Sequence, residues 1–294
     1  MRITLYHISP SFFSQIARLT LAEKGADFEP RVVDIGPRME NYEPWYARIN
    51  PEMVVPALVA VDDAGNEQVV VETAKIIAWI DAELDGPQLL PNPGSVEGIA
   101  VATWLARIFA FPFREFSYGV IQGPLGKAAR SAVPARIDRL RAHQAENPDL
   151  RAVYQARIDD VGRWRDALAS PETLAAIERD FQALLGELEA ALEAQRERGS
   201  AFLVGERYTL ADTLLTVAVA RFILLGRRGQ LGAATLEWFA AMKARPSFEQ
   251  AAIWDRRRLG EMLPILLPLL APKLAIASAG LIALVLLLRW LLGA

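Results

Sequence analysis

The C-terminal end constrains this chain more than any other feature. Residues 274–288, LAIASAGLIALVLLL, carry no charge, and RWLLGA follows them. A helix over 274–294 is about 31 Å long at ~1.5 Å per residue, matching a hydrocarbon core of roughly 30 Å. Arg289 lies near the end of the span, where its aliphatic stem snorkels to the interface beside Trp290. The competing reading is a buried C-terminal helix. The run Leu286 to Leu288 and the apolar character of every face argue against it. A body held on a bilayer by its tail is therefore expected. Arg256, Arg257, Arg258 and Lys273 precede the span and only Arg289 sits at its far end, which places the body in the cytoplasm. Pro264, Pro268 and Pro272 exclude one straight helix from Glu261 onward, leaving 261–273 as a juxtamembrane segment.

The body is long enough, at about 260 residues, for one large domain or two ordinary ones. Its two signs of charge are mixed and the whole chain has a net charge of -3, so no nucleic-acid partner is implied. There is no cysteine, which excludes disulfides, thiol nucleophiles and thiolate metal sites. His7 and His143 are the only histidines, so no metal centre is expected. MRITLYHISP reads as a strand and turn, without the apolar core of a signal peptide.

Residues 2–7 alternate and are β-rich; 15–24 follow as a helix stopped by Gly25; 28–33 form a second strand. Residues 56–61 and 68–71 flank the turn DDAGNE as a hairpin, and 73–84 form the next helix. The order β-α-β, then β-β-α, is thioredoxin-like and occupies 1–84. DGPQLLPNPG, 85–94, is a linker. The remainder, 95–260, is helical: 96–110, 171–198, the almost wholly apolar 210–225, and 236–243. Thr209 and Asp212 make a capping box at the start of the apolar helix. Between the first two helices of this domain lies an arginine-rich insert at about 111–170, read as extra helices over or beside the bundle. Their arginines belong to a solvated face, or alternatively meet anionic lipid. The fold class is thus α+β with a terminal transmembrane helix.

In a thioredoxin-like fold, the junction of the first strand and first helix offers unpaired N–H groups and the positive end of a helix dipole to an anion. Here it reads SPSFFSQ, with Ser9, Ser11 and Ser14. Ser11 and Ser14 have the spacing of a redox Cys-x-x-Cys but carry hydroxyls. Redox chemistry on the protein is out, yet a hydroxyl can donate to a bound thiolate and lower that thiol's pKa. Ser11 is the first candidate, with Ser9 and Tyr6 in reserve, and helix capping is the plain alternative. Two other places suit a peptide-like thiol. VVPA, with Pro56 cis, leaves Val55 backbone groups to pair with an extended ligand. At the start of the helix after the hairpin, Thr73 offers N–H and hydroxyl to a carboxylate, and Glu72 offers its carboxylate to an ammonium.

Taken together, LYHISPSFFSQIARLTLAEKG, VVPALV, VETAKIIAWI, GERYTLADTLL and MKARPSF resemble the glutathione S-transferase superfamily over about residues 1–258. LYH, SFFSQIARLTLAEKG and NYEPWYARIN are similar to its ganglioside-induced differentiation-associated protein branch, which also has the insert and the tail anchor. The resemblance implies glutathione as co-substrate, with its sulfur at Ser11, its backbone at Val55 beside cis Pro56, and its γ-glutamyl end at Glu72 and Thr73. It assigns Arg18 a structural role, leaves Arg48 and Asn50 open for the glycyl carboxylate, and implies a homodimer.

The expected function is transfer of glutathione to an apolar electrophile near a membrane. Trp104, Phe109, Phe111 and Phe113 are candidate walls of the electrophile site. The alternative is a membrane-tethered adaptor that keeps the fold without the chemistry. Ultimately a bound thiolate distinguishes the two.

Overall fold

The first strand, β1 (Arg2–His7), alternates as its sequence demands, with Ile3, Leu5 and His7 buried and Thr4 and Tyr6 on the opposite face. Helix α1 (Phe12–Lys24), capped by Ser11, starts three residues earlier than the periodicity suggests. It ends at left-handed Gly25, where the N–H groups of Gly25 and Ala26 satisfy the carbonyls of Ala22 and Leu21. Strand β2 (Glu29–Val32) runs parallel to β1; β3 (Ala57–Val61) is antiparallel to β1, and β4 (Glu67–Val71) antiparallel to β3. The resulting order is β2-β1-β3-β4. Helix α2 (Pro44–Ile49) lies in the β2–β3 connection, and α3 (Thr73–Glu83) follows β4. Ile3, Leu5, Ala17, Leu21, Leu58, Ile76 and Ile80 form one core between the sheet and helices α1 and α3. This is a thioredoxin-like mixed sheet.

A computed structural model describes residues 1–120, 130–258 and 260–261. Residues 1–256 form one compact unit; 257–294 form a second. Most of the juxtamembrane segment and all of the tail, 262–294, lie outside the described residues. Among the described residues no single helix is long and apolar enough to cross a membrane, although α4 and α5 below, bent by 46°, have the length and composition together.

After the linker come α4 (Val96–Ala110), α5 (Phe113–Val120), α6 (Val133–Glu146), α7 (Arg151–Ala169), α8 (Pro171–Glu197), α9 (Leu210–Leu224), α10 (Ala233–Lys243) and α11 (Pro246–Gln250). Helix α9 is central: every residue from Leu210 to Ala220 is buried. Its capping box forms as the sequence indicates. Asp212 accepts from the Thr209 N–H and hydroxyl and from the Leu203 N–H, and burial pushes its carboxyl up to about 6.

The insert departs from expectation. Rather than only lying beside the bundle, α6 and α7 close a second apolar core on the β2–β3 connection. There Val133, Ile137, Leu140, Tyr154, Ile158, Val161 and Trp164 enclose Tyr42, Ala47 and Met53. Several of its arginines are engaged internally. Arg114 and Arg157 both reach Asp160, Arg139 pairs with Glu43, and Arg136 donates to the Ile35 carbonyl. The solvated or lipid-facing stripe is therefore only part of their role.

Candidate active site

Ala57 pairs with Tyr6 on one side and Val71 on the other. The exit of β1, the entry of β3 and the exit of β4 consequently share one end of the sheet. The segments continuing from that end are His7 to Ser11, Val55–Pro56 and Glu72–Thr73, so the topology brings all the expected site residues to the same end.

Of the three serines at the β1–α1 junction, only Ser11 is accessible. Ser14 is fully buried, and its hydroxyl has no partner among the described residues. Ser9 is buried and accepts from the Trp254 indole N–H at 3.0 Å. Ser11 is partly exposed, with φ -67° and ψ 128°, and its Oγ accepts from the Ser14 N–H at 3.3 Å. It is therefore the helix cap, worth ~1 kcal/mol. Capping uses the oxygen as acceptor and leaves its O–H free to donate, so the structural and chemical readings of Ser11 are compatible. Tyr6 packs instead against Trp45 and Tyr46.

His7 takes no direct part. Its Nδ1 lies 3.1 Å from Arg18 Nη1, so it accepts and the proton resides on Nε2. Burial, with Arg18 as the second cause, lowers its pKa to about 3, and the ring is neutral at physiological pH. Arg18 itself also donates to the carbonyls of Ser9 at 3.0 Å and Ala251 at 2.8 Å. It is the structural residue the resemblance implies.

On the facing segment, the Val55–Pro56 bond is cis. The preceding carbonyl, Val54, accepts from Tyr46 Oη and Asn50 Nδ2, each at 2.7 Å. By contrast, no described residue takes the N–H or C=O of Val55, a residue only 5% exposed, so that peptide group keeps its hydrogen-bonding capacity. Asn50 is thereby committed to loop structure, and Arg48 pairs with Asp149 at 2.8 Å. Met39 and Met53, at φ 54° and 52°, are left-handed residues bracketing this connection. The Asn41 side chain holds the Met53 carbonyl at 2.7 Å.

Glu72 occupies φ 67°, ψ 121°, a strained position for a residue with a Cβ, costing on the order of 1–3 kcal/mol. Its side chain does not cap α3, so the first-turn amides, Thr73 among them, remain available to an anion. Its carboxylate pairs with Lys75 at 2.6 Å, on the surface.

The four aromatic wall candidates divide. Phe111 and Phe113 are buried in the main core, whereas Trp104 and Phe109 are only partly buried against it. Phe12, directly after Ser11, stacks on Phe113 at 3.8 Å. Sequence reasoning missed Gln15, whose Oε1 accepts from the Trp254 N–H at 2.7 Å, and Trp254 itself; neither has a local signature. Among the described residues no three His, Asp or Glu side chains are grouped to hold a metal ion.

Residues 10–83 match the family described as glutathione S-transferase, N-terminal domain. The chain is 31% identical over 255 residues to tetrachloro-p-hydroquinone reductive dehalogenase of Sphingobium chlorophenolicum, covering 85% of this chain and 96% of that protein. It is 27% identical over 254 residues to ganglioside-induced differentiation-associated protein 1-like 1 of Homo sapiens, covering 76% and 65% respectively. Among solved structures, the theta class glutathione S-transferase of Xanthomonas axonopodis pv. citri, with glutathione bound, superposes with a TM-score of 0.59 at 21% identity, covering 85% of this chain and 97% of that one.

Proposed function

The chain belongs to the glutathione S-transferase superfamily, and on that premise we propose that it binds glutathione as co-substrate and activates its thiol at Ser11 for attack on an electrophile. The observation that carries this reading is the accessible Ser11 hydroxyl. Its oxygen already accepts from the Ser14 N–H, and it stands at the N-terminus of α1, at the same sheet end as Val55 and Thr73. A sulfur placed there receives the Ser11 proton donor and the helix dipole, both of which favour thiolate over thiol. The Val55 peptide suits the cysteinyl backbone of glutathione, and the uncapped start of α3 suits its γ-glutamyl carboxylate. Glu72 serves its ammonium in exchange with Lys75.

The electrophile is proposed to have an apolar body, in keeping with Phe13, Phe109 and Trp104 on the helical side. In substitution, sulfur bonds to carbon as the leaving group departs with its electron pair. The Sphingobium relative is by name a reductive dehalogenase. With no cysteine in this chain, a reductive outcome here needs a second glutathione. Its thiolate attacks the thioether sulfur, the released carbon takes a proton, and oxidised glutathione leaves. Products separate the two routes: a thioether alone, or dehalogenated compound with oxidised glutathione.

The tail at 274–294 is proposed to anchor the chain to a membrane with its body on the cytoplasmic side. Leu281→Arg with Leu284→Arg should move the protein from the membrane to the soluble fraction; retention there would refute anchoring. A homodimer is also proposed. Val69 on β4 and Val96 and Ile99 on α4, at 42%, 86% and 60% exposure, supply apolar surface for it, and sedimentation of the purified chain tests it.

One observation favours a second reading, a tethered adaptor without turnover. Phe12 on Phe113 fills space beside Ser11, and two cavities among the described residues, about 140 and 160 Å³, are lined by Trp238 and Arg196 and by Phe116 and Arg227. Calorimetry with glutathione, followed by mass analysis of products with aryl and alkyl halides, decides between them. Binding with thioether formation supports the transferase; binding without product supports the adaptor; no binding at millimolar glutathione refutes the glutathione site.

A further inference from the structure

Arg221 interrupts the buried run of α9. Its Nη2 donates to the Pro10 carbonyl at 2.6 Å, one residue before Ser11. Its Nε is buried and has no hydrogen-bond partner among the described residues. No described carboxylate pairs with it, and the residues outside the described set contain neither Asp nor Glu. Four other partly buried arginines do have carboxylate partners: Arg107 has Asp180 and Glu187, Arg114 has Asp160, Arg227 has Glu178 and Arg245 has Glu23. Burial lowers the Arg221 pKa to about 10, so it remains a cation at neutral pH. A largely desolvated cation whose one partner among the described residues is a carbonyl is costly, and an incoming anion relieves that cost with charge-assisted hydrogen bonds.

Buried aromatic rings pack in series from the start of α1, beside Ser11, to the helix that carries Arg221. Phe12 stacks on Phe113, and Phe113 lies near-parallel to Phe222, the residue after Arg221, at 5.9 Å and 17°. Phe13 and Phe109, both partly exposed, are also near-parallel, at 6.5 Å and 16°.

We propose that Arg221 determines substrate class by taking the ionised oxygen of an aromatic electrophile, a carboxylate or phenolate, while its ring lies against the phenylalanines near Ser11. This rests on the glutathione reading and deepens it: the electrophile has an apolar body and an anionic end. For an aryl halide, the glutathione sulfur bonds to the ring carbon, the carbon–halogen bond breaks with halide taking the electron pair, and the thiol proton passes to solvent. Arg221 neither donates nor accepts a proton in this step.

The test compares 4-chloro-3-nitrobenzoate with its methyl ester as electrophiles for the full chain, each rate divided by its uncatalysed rate. Wild type should favour the acid. Arg221→Gln should lower kcat/KM for the acid about 10- to 100-fold, the range of a lost charge-assisted hydrogen bond, and leave the ester within about threefold. Arg221→Lys should retain part of the preference. A purely structural hold on Pro10 predicts equal losses for both compounds and would overturn the proposal, as would a wild type indifferent to the acid. Calorimetry with unreactive 3-nitrobenzoate and its methyl ester, without glutathione, gives a separate readout. Anion-selective binding that Arg221→Gln abolishes supports the Arg221 site even if glutathione fails to bind, in which case only the transferase reading falls. Equal binding of acid and ester refutes the Arg221 site whatever glutathione does.

Discussion

At the β1–α1 junction, Arg18 fixes the Ser9 and Ala251 carbonyls, Gln15 receives the Trp254 N–H, and the Trp254 indole holds Ser9. Across the site, the β2–β3 connection adds to its polar ties, such as Arg136 on Ile35 and Arg139 on Glu43, an apolar core shared with the insert. Tyr42, Ala47 and Met53 sink into the insert's core, with the Tyr154 hydroxyl on the Tyr42 carbonyl at 2.9 Å as a buried polar tie. The first brace orients the group proposed to do chemistry, and directional bonds suit that task. The second shapes the backbone proposed to recognise glutathione. The difference implies that the two properties can be damaged separately, thiol activation from the C-terminal side and glutathione affinity from the insert.

The largest effect should come from the polar brace. Arg18→Met strands several buried acceptors and should cost about 3–5 kcal/mol, seen as a large fall in melting temperature together with lost activity. Trp164→Ala opens the insert core; Trp164 is buried, edge-on to Tyr118 and under Arg114. It should cost about 3–5 kcal/mol at most, weaken glutathione binding, and leave the pKa of bound thiol unchanged. Hydrogen exchange should rise in 39–53 before it rises in α1, and the reverse order would break the comparison. Tyr154→Phe removes one hydrogen bond, about 1 kcal/mol, and should raise the glutathione Kd a few-fold without altering thiolate formation.

A further effect, dependent on pH, is on acid stability. His7 has a pKa of about 3 in the folded protein against 6.5 ordinarily, so the unfolded chain binds more protons between these values. Its stabilising contribution is complete above about 6.5 and declines as pH falls toward about 3. Asp212, raised to about 6, acts oppositely, favouring the folded state as pH falls through its range. His7→Gln keeps an acceptor for Arg18 and cannot titrate, so its stability should decline less than wild type between pH 6 and 4 in denaturant titrations.

What the sequence reveals depends on the range of the interaction. The alternation of β1, the Gly25 stop and the Thr209–Asp212 box are local patterns, and each is present in the fold. Pro56 and Glu72 were legible as positions in an ordered set. Ser11 was legible as a candidate, but its separation from Ser9 and Ser14 required burial, which spacing does not encode. Docking of Tyr154 on Tyr42, and of Trp254 on Ser9, joins segments far apart in the chain and leaves no local mark. Phe111 and Phe113 illustrate the same limit: helical spacing places rings on a face without saying whether a cavity or another phenylalanine lies opposite.

A glutathione thiolate at Ser11 is the centre of the proposed chemistry, and ultraviolet difference spectra of the full chain with glutathione across pH test it directly. Wild type should show thiolate absorbance at neutral pH, below the free-thiol pKa of about 8.5, and Ser11→Ala should bind glutathione yet return its titration toward that value. Bound glutathione that stays protonated at neutral pH, or a thiolate band undiminished in Ser11→Ala, would contradict it.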